Sequence, residues 1–212
     1  MTLHANHRLS HRFIRQAVGL LAALALCACQ PTSPDKPAFK GIELTGAEYA
    51  KTLNLTDADG RARSLADFKG KVLVVFFGYT QCPDVCPTTM AEIAEVKRAL
   101  GAQGDKVQGI FVTIDPARDT GTLLKAYLAS FDPSFVALRG SEAQTQAAAK
   151  EFKVFYAKVP GKTADSYTMD HTAASFIFDT QGRVRVYARY GSGAQPLADD
   201  VKLLLAEAQP PK

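Results

Sequence analysis

The stretch VLVVFF at residues 72–77 is an unbroken run of apolar residues, rich in β-branched and aromatic side chains. Such a run indicates a strand buried on both faces of a sheet, because a strand with one solvated face alternates apolar and polar residues. The apolar residues of 88–100 recur at helical spacing, and the run VQGIFVTI at 107–114 indicates a second buried strand. Strands and helices therefore alternate along this part of the chain.

The same alternation continues to the end of the sequence. Helices are predicted at 119–131, 141–152 and 197–208, and strands at 135–138, 154–159, 174–179 and 183–190. The turn signal DADG at 57–60 predicts a small hairpin between residues 53–56 and 62–64, followed by a short helical turn in SLADFKG. Together these elements predict an α/β fold, a mixed sheet flanked by helices on both faces.

The first 28 residues have the pattern of an export signal. Arg8, Arg12 and Arg15 precede an unbroken run of apolar or small residues at 17–28, which is too short to span a bilayer as a permanent helix. The end of this run resembles the bacterial lipoprotein signal, in which a cysteine after a small residue is cleaved and acylated; Cys29 follows Ala28. An uncleaved N-terminal anchor is the alternative, and both place the domain outside the cytoplasm on a membrane.

These features divide the chain into three parts. Residues 1–28 are predicted to be the signal peptide, residues 29–40, with three prolines, a tether, and residues 41–212 the folded domain. Removal of the signal leaves 22 basic and 21 acidic residues, so the net charge falls from +4 to about +1 and nothing indicates nucleic-acid binding. His171 then becomes the only histidine, and Cys82 and Cys86 the only cysteines besides Cys29.

The segment CPDVC at 82–86 follows the first buried strand, at the edge where this architecture places ligand sites. A structural disulfide between Cys82 and Cys86 would close too short a loop to remove much unfolded-state entropy. A redox pair would benefit from a helix N-terminus, which lowers a thiol pKa. However, helical i, i+4 side chains lie about 5–6 Å apart at Cβ, farther than the roughly 3.8 Å of a disulfide.

A metal bound between the two thiolates needs no such contraction, and thiolates favour copper(I) or zinc. Two sulfurs rarely complete a site, and the sole candidate imidazole is His171, in YTMDHTAASFIFD at 167–179. A structural zinc site is disfavoured because it requires four ligands.

Three blocks of the sequence resemble the Sco (SenC) family in order and spacing: GYTQCPDVCPTTM, TIDPARDTGTLLKAYL and YTMDHTAASFIFD. The resemblance extends from about residue 41 to residue 208. It implies a thioredoxin-like, peroxiredoxin-related fold and a membrane-tethered domain that binds one copper ion through Cys82, Cys86 and His171. Family members act in assembly of the dinuclear copper centre of cytochrome c oxidase, so the expected partners are its copper-bearing subunit and other copper chaperones.

The resemblance leaves two functions open. The favoured one is a copper metallochaperone; the alternative is a thiol–disulfide oxidoreductase that reduces the oxidase's copper-ligand cysteines, with Cys82 and Cys86 as its catalytic pair. A copper sensor is a third. Residues 163–175 contain no proline to match the cis-proline that thioredoxin-type reductases place opposite their cysteines, and His171 lies there instead, which favours a ligand site.

Two further features qualify the resemblance. Asp115 and Asp119 match the acidic block of the family, although helix capping and loop hydrogen bonding explain them at least as well as a direct role. Gly121 stands where members often have proline after RDT.

Overall fold

An eight-stranded mixed sheet forms the centre of the computed structural model, which describes residues 38–163 and 166–208. The predicted signal peptide, Cys29 and most of the predicted tether lie outside the described residues. The strands are β1 Ile42–Glu43, β2 Leu55–Asp57, β3 Ala62–Arg63, β4 Val72–Gly78, β5 Val107–Thr113, β6 Val136–Arg139, β7 Tyr156–Pro160, β8 Tyr167–His171, β9 Ala174–Phe178 and β10 Val184–Arg189. The helices are α1 Val85–Ala99, α2 Gly121–Ala129, α3 Glu142–Glu151 and α4 Ala194–Glu207, with short 3-10 helices at Leu65–Phe68 and Gly101–Lys106.

The strand order is β1-β10-β9-β4-β5-β6-β2-β3. β4, β5 and β6 are parallel, whereas β9 pairs antiparallel with β4. Every residue of β4, β5 and β9 is buried. Because successive strand residues point to opposite faces, both faces of the central sheet are covered. The mixed α/β architecture predicted from the sequence is confirmed.

Aromatic packing fixes the centre of this sheet. The Phe152 ring, at the end of α3, lies 5.0 Å from Phe77 of β4 and 5.3 Å from Phe176 of β9, measured between centroids. All three side chains are almost fully buried. Burial of each such side chain contributes about 1.5–3 kcal/mol, so the strand that leads into the cysteine loop has a rigid base.

Helix α1 begins at Val85, earlier than the residue 88 predicted from periodicity. Pro87 therefore lies in the first turn of α1, where a missing N–H breaks no helical hydrogen bond. Cys86 consequently belongs to the helix, while Cys82 precedes it. The regular-helix spacing that we used to argue against a disulfide is wrong for this pair, because only one of the two cysteines is helical.

A second small sheet departs from the sequence prediction. The strand predicted at 154–159 corresponds to β7, which pairs with β8 rather than with the main sheet. β8 itself was not predicted. We call β7 and β8 the ribbon; its register places Tyr156 opposite His171.

The described chain enters the domain beside α4. The backbone N–H groups of Lys40 and Gly41 donate to the carboxylate of Asp200, at 2.6 and 2.9 Å. Phe39 packs against the core, with the Arg185 guanidinium 5.5 Å from its ring. Among the helices of residues 38–163 and 166–208, none combines the length and apolar character needed to cross a bilayer.

Candidate metal centre

The two cysteines lie at the carboxyl end of β4, where the chain turns into α1. The Cys86 side chain is fully buried, while Cys82 is partly exposed, and both are free thiols. The backbone N–H of Cys86 donates to Cys82 Sγ at 3.3 Å. Cys82 Sγ therefore occupies the N-terminus of α1, where unpaired N–H groups and the helix dipole favour negative charge.

The two thiols have opposite tendencies to ionise. A hydrogen bond from the Cys86 thiol is the largest contribution that lowers the pKa of Cys82 to about 4, followed by a hydrogen bond with the His171 ring and by the backbone N–H groups of Cys86 and Asp84. The pKa of Cys86 is raised, because Cys86 supplies that hydrogen bond and is buried. At neutral pH the pair holds one thiolate, on Cys82, and one proton, on Cys86.

His171 ends β8 and points its ring at the sulfurs. Its Nε2 lies 3.5 Å from Cys86 Sγ, and its Nδ1 lies 3.1 Å from the carbonyl oxygen of Thr172. Since a carbonyl oxygen can only accept, Nδ1 carries a hydrogen, and Nε2 is the nitrogen that faces the sulfurs. A metal would therefore bind through Nε2, with the second nitrogen oriented by a backbone carbonyl.

Two aromatic rings hold the imidazole in place. The Phe76 centroid lies 5.9 Å and the Tyr79 centroid 6.1 Å from that of His171, both edge to face. Phe76 belongs to β4 and Tyr79 follows it, so the strand that precedes the cysteine loop also positions the histidine.

The three residues singled out from the sequence come together in space. The two Sγ atoms and the imidazole nitrogen lie within 4.8 Å of one another, and among the described residues no further histidine, cysteine or carboxylate joins this group. Two thiolates and one imidazole form a soft donor set that suits copper(I). A structural zinc ion takes four ligands, one more than the described residues supply here.

Asp115 and Asp119 do not join this group. Asp119 is fully buried and accepts hydrogen bonds from the hydroxyls of Thr113 and Thr80, each at 2.6 Å. Burial raises its pKa. Asp119 thereby ties the end of β5 to the cysteine loop, which is the loop hydrogen bonding considered in the sequence analysis.

Two supporting residues, Arg118 and Gly78, escaped sequence reasoning. Arg118 Nη1 donates to Gln81 Oε1 and to the backbone oxygen of Tyr167, both at 2.9 Å. Gly78, the last residue of β4, lies under the cysteines: a Cβ atom there would be 2.8 Å from Cys86 Sγ. The glycine that directly follows a buried apolar run was the one available signal of this close approach.

The site adjoins an open cavity. A cavity of about 330 Å³ adjoins it, lined by Tyr79, Cys82, Pro83, Asp84, Val85, Thr168, Met169, Asp170, His171 and Ala173. Cys82 and His171 line this cavity, whereas Cys86 lies behind them and has no exposed surface.

Comparison with known proteins gives consistent matches. The SCO1/SenC family model matches residues 43–206, which include both cysteines and His171. An SCO2-like protein of Rickettsia felis is 34% identical over 154 residues, covering 71% of this chain and 75% of its own length.

Two solved structures share the fold. That of Bradyrhizobium japonicum ScoI with copper bound is 43% identical, with a TM-score of 0.66, covering 73% of this chain and 98% of that one. Yeast Sco1 with copper bound is 25% identical, with a TM-score of 0.68, covering 76% and 91% respectively.

Proposed function

The chain belongs to the SCO1/SenC family, and from this premise we propose that it is a copper metallochaperone that assists copper-centre assembly in cytochrome c oxidase. Members of this family take part in that assembly. The proposed ligands are Cys82, Cys86 and His171, binding one copper ion. The observation that carries the proposal is the convergence of these three donor atoms within 4.8 Å, with Nε2 of His171 directed at the sulfurs.

Each proposed ligand has a distinct part in loading the ion. Cys82 is already a thiolate at neutral pH and lies on the open side, so it offers the first bond. Cys86 must release its proton before it can bind, which makes loading proton-coupled. His171 would bind through Nε2, with its ring held in orientation by the Nδ1–H bond to the Thr172 carbonyl. Copper is the cargo in this scheme, and it is supplied and received by other proteins.

The second candidate is reduction of a partner's disulfide. It is favoured by a partly exposed thiolate on Cys82 beside a buried Cys86 thiol. In that reaction Cys82 would attack one sulfur of the partner disulfide, and the other partner sulfur would leave as a thiolate and take up a proton. Cys86 would then displace the first partner sulfur, leaving a Cys82–Cys86 disulfide and a partner dithiol.

One experiment separates the two functions. Full-length reduced protein loaded with one copper(I) is mixed with a copper-centre domain of the oxidase subunit whose cysteines are already reduced. In parallel, copper-free reduced protein is mixed with the same domain carrying a disulfide. Copper transfer without disulfide reduction supports the metallochaperone. Rapid reduction of the oxidised domain without copper transfer contradicts it.

We also propose that the domain is lipid-anchored through Cys29 and faces the periplasm or the cell exterior. Residues 1–28 would be the signal peptide, residues 29–40 the tether and residues 41–212 the copper-binding domain. The support is the basic segment, the short apolar run and the Leu-Cys-Ala-Cys sequence at its end.

A further inference from the structure

The ribbon that carries His171 is attached to the domain at its base. β7 and β8 pair only with each other within the described residues. At the base, Thr172 and Phe155 exchange hydrogen bonds, Thr172 N–H to the Phe155 carbonyl at 2.9 Å and Phe155 N–H to Thr172 Oγ1 at 3.0 Å. Tyr190 N–H also donates to the Ala173 carbonyl at 3.0 Å.

Away from its base the ribbon lies between two open spaces. One is the 330 Å³ cavity beside the cysteines; the other is a cavity of about 740 Å³ that extends towards α3. Met169, in the middle of β8, lines both. Tyr156 and Met169 pack against the core only in part, and the Met169 backbone hydrogen-bonds Tyr79. The ribbon is therefore incompletely packed along its length, and contacts at its far end add to what holds it in position.

Arg118 supplies those contacts. Its Cζ lies 3.5 Å from the centroid of the Tyr167 ring, and its Nη1 donates to the Tyr167 carbonyl at 2.9 Å. Its Nε donates to Asp115, which also accepts a hydrogen bond from the Tyr167 hydroxyl at 2.9 Å. Tyr167 begins β8 and His171 ends it, so the clamped end lies about 13 Å along the strand from the imidazole.

The same guanidinium also reaches the cysteine loop. Arg118 Nη1 donates to Gln81 Oε1 at 2.9 Å, and Gln81 directly precedes Cys82. Asp115 is held in turn, because its N–H donates to Thr113 Oγ1 at the end of β5. Arg118 thus joins the loop that carries the sulfurs to the strand that carries the imidazole.

We propose that Arg118 is a positioning residue of the metal centre: by joining Gln81 to Tyr167 it holds the ribbon closed and fixes His171 against the two sulfurs. The part of this inference that concerns copper rests on the proposed function. The part that concerns ribbon closure does not, because every contact above is between residues of this chain.

Amide hydrogen exchange of the reduced, metal-free, full-length protein tests closure directly. Arg118→Ala should raise exchange at residues 156–159 and 167–171 at least about tenfold, which corresponds to a loss of about 1.4 kcal/mol in closing free energy. Arg118→Lys should give an intermediate rise, because lysine keeps the charge but lacks the planar fork that reaches two acceptors. If Arg118→Ala does not fold, Arg118→Lys carries the comparison.

Arg63→Ala is the matched control. Arg63 also pairs through Nε with a buried aspartate, Asp57, and has similar side-chain exposure, 27% against 20% for Arg118. It lies on β3 at the far edge of the main sheet. It should lower the unfolding midpoint without changing exchange in the ribbon. Ribbon exchange in both Arg118 variants equal to that of the wild type would overturn the proposal.

Copper(I) release to a chelator provides the second readout. Release from Arg118→Ala should be about tenfold faster than from wild type or Arg63→Ala. Faster ribbon exchange with unchanged release would overturn the claim that closure fixes His171. If His171→Ala itself left copper(I) binding unchanged, the proposed function would fail, whereas the exchange result would stand.

Discussion

Replacement of Gly78 by alanine should displace Cys86 and so weaken the metal centre, because the new methyl group would press against the Cys86 sulfur. The new methyl group would lie 2.8 Å from Cys86 Sγ, 2.8 Å from a ring carbon of Phe76 and 3.0 Å from a ring carbon of Phe111. Favourable carbon contacts lie at about 3.5–4.0 Å, so each contact is too short by roughly 0.5–1 Å. Cys86 sits in α1 and the two rings are fully buried, so none of the three can move freely.

The net effect on stability combines two opposing contributions. Overpacking of a buried site costs about 1–3 kcal/mol. Loss of glycine's extra conformational freedom in the unfolded chain returns about 0.4–1 kcal/mol, because Gly78 does not have a positive φ. We therefore expect the free energy of unfolding to fall by about 1–2 kcal/mol, which lowers the urea midpoint by roughly 0.5–1 M at an m-value of about 2 kcal/mol/M. Displacement of Cys86 Sγ should reduce copper(I) affinity about 10–100-fold, the usual cost of disturbing a ligand's support.

Gly109→Ala separates the two effects. Gly109 lies on β5, the strand next to β4, and away from the sulfurs. The new methyl group there would lie 2.6 Å from the Phe135 ring. Urea titrations and copper(I) competition with a chelator should show that both variants are destabilised but that Gly78→Ala alone loses affinity. Wild-type affinity in Gly78→Ala, or an equal loss in both variants, would refute this account of the site.

The remaining predictions concern the ligands and the anchor. His171→Ala should abolish stable copper(II) binding and weaken copper(I) binding, while Cys82 and Cys86 still cycle between dithiol and disulfide. Full oxidase activity in cells that carry this variant, together with loss of oxidase activity in Cys82→Ser cells, would favour the reductase function. Reduced protein should bind about one copper per chain and oxidised protein little, by metal analysis after desalting, because a disulfide leaves no thiolate to bind; equal uptake would sink the prediction. The pKa of Cys82 is lowered to about 4, so its thiolate is present above that pH and lost below it. Alkylation of Cys82 should therefore already be near its plateau rate at pH 6, and Cys86→Ala should move the midpoint towards the ordinary thiol value of about 8.5; an unchanged midpoint would contradict the proposed hydrogen bond. Cys29→Ser should release the protein from membranes or leave it unprocessed, and normal acylation in labelled cells would exclude Cys29 as the anchor.

The main sheet was accessible from sequence because its signals are local. The apolar run of β4 predicts a buried strand, and the helical period of α1 predicts a helix, without information from distant residues. The position of Cys82 at the carboxyl end of a buried strand could therefore be predicted directly. The start of α1 was missed because Pro87 reads as a helix boundary, although the first turn tolerates it.

The ribbon and its clamp depend on contacts between distant residues. β8 is short and alternates between partly buried and exposed residues without strong apolar character. Its sequence pattern therefore did not predict a strand that ends at His171. The contacts of Arg118 with Gln81 and Tyr167 span 37 and 49 residues of sequence, beyond any local period. The participation of His171 could be proposed only by elimination and by family resemblance, whereas the orientation of its ring follows from the nearby Thr172 carbonyl.

The burial of Cys86 has a kinetic consequence for any ion held at this site. An incoming ligand from another protein can reach Cys82 and His171 through the cavity that they line, whereas Cys86 has no exposed surface. We therefore expect the bonds from Cys82 and His171 to a bound ion to exchange before the bond from Cys86. The buried sulfur would then be the last of the three ligands to release the ion during a handover.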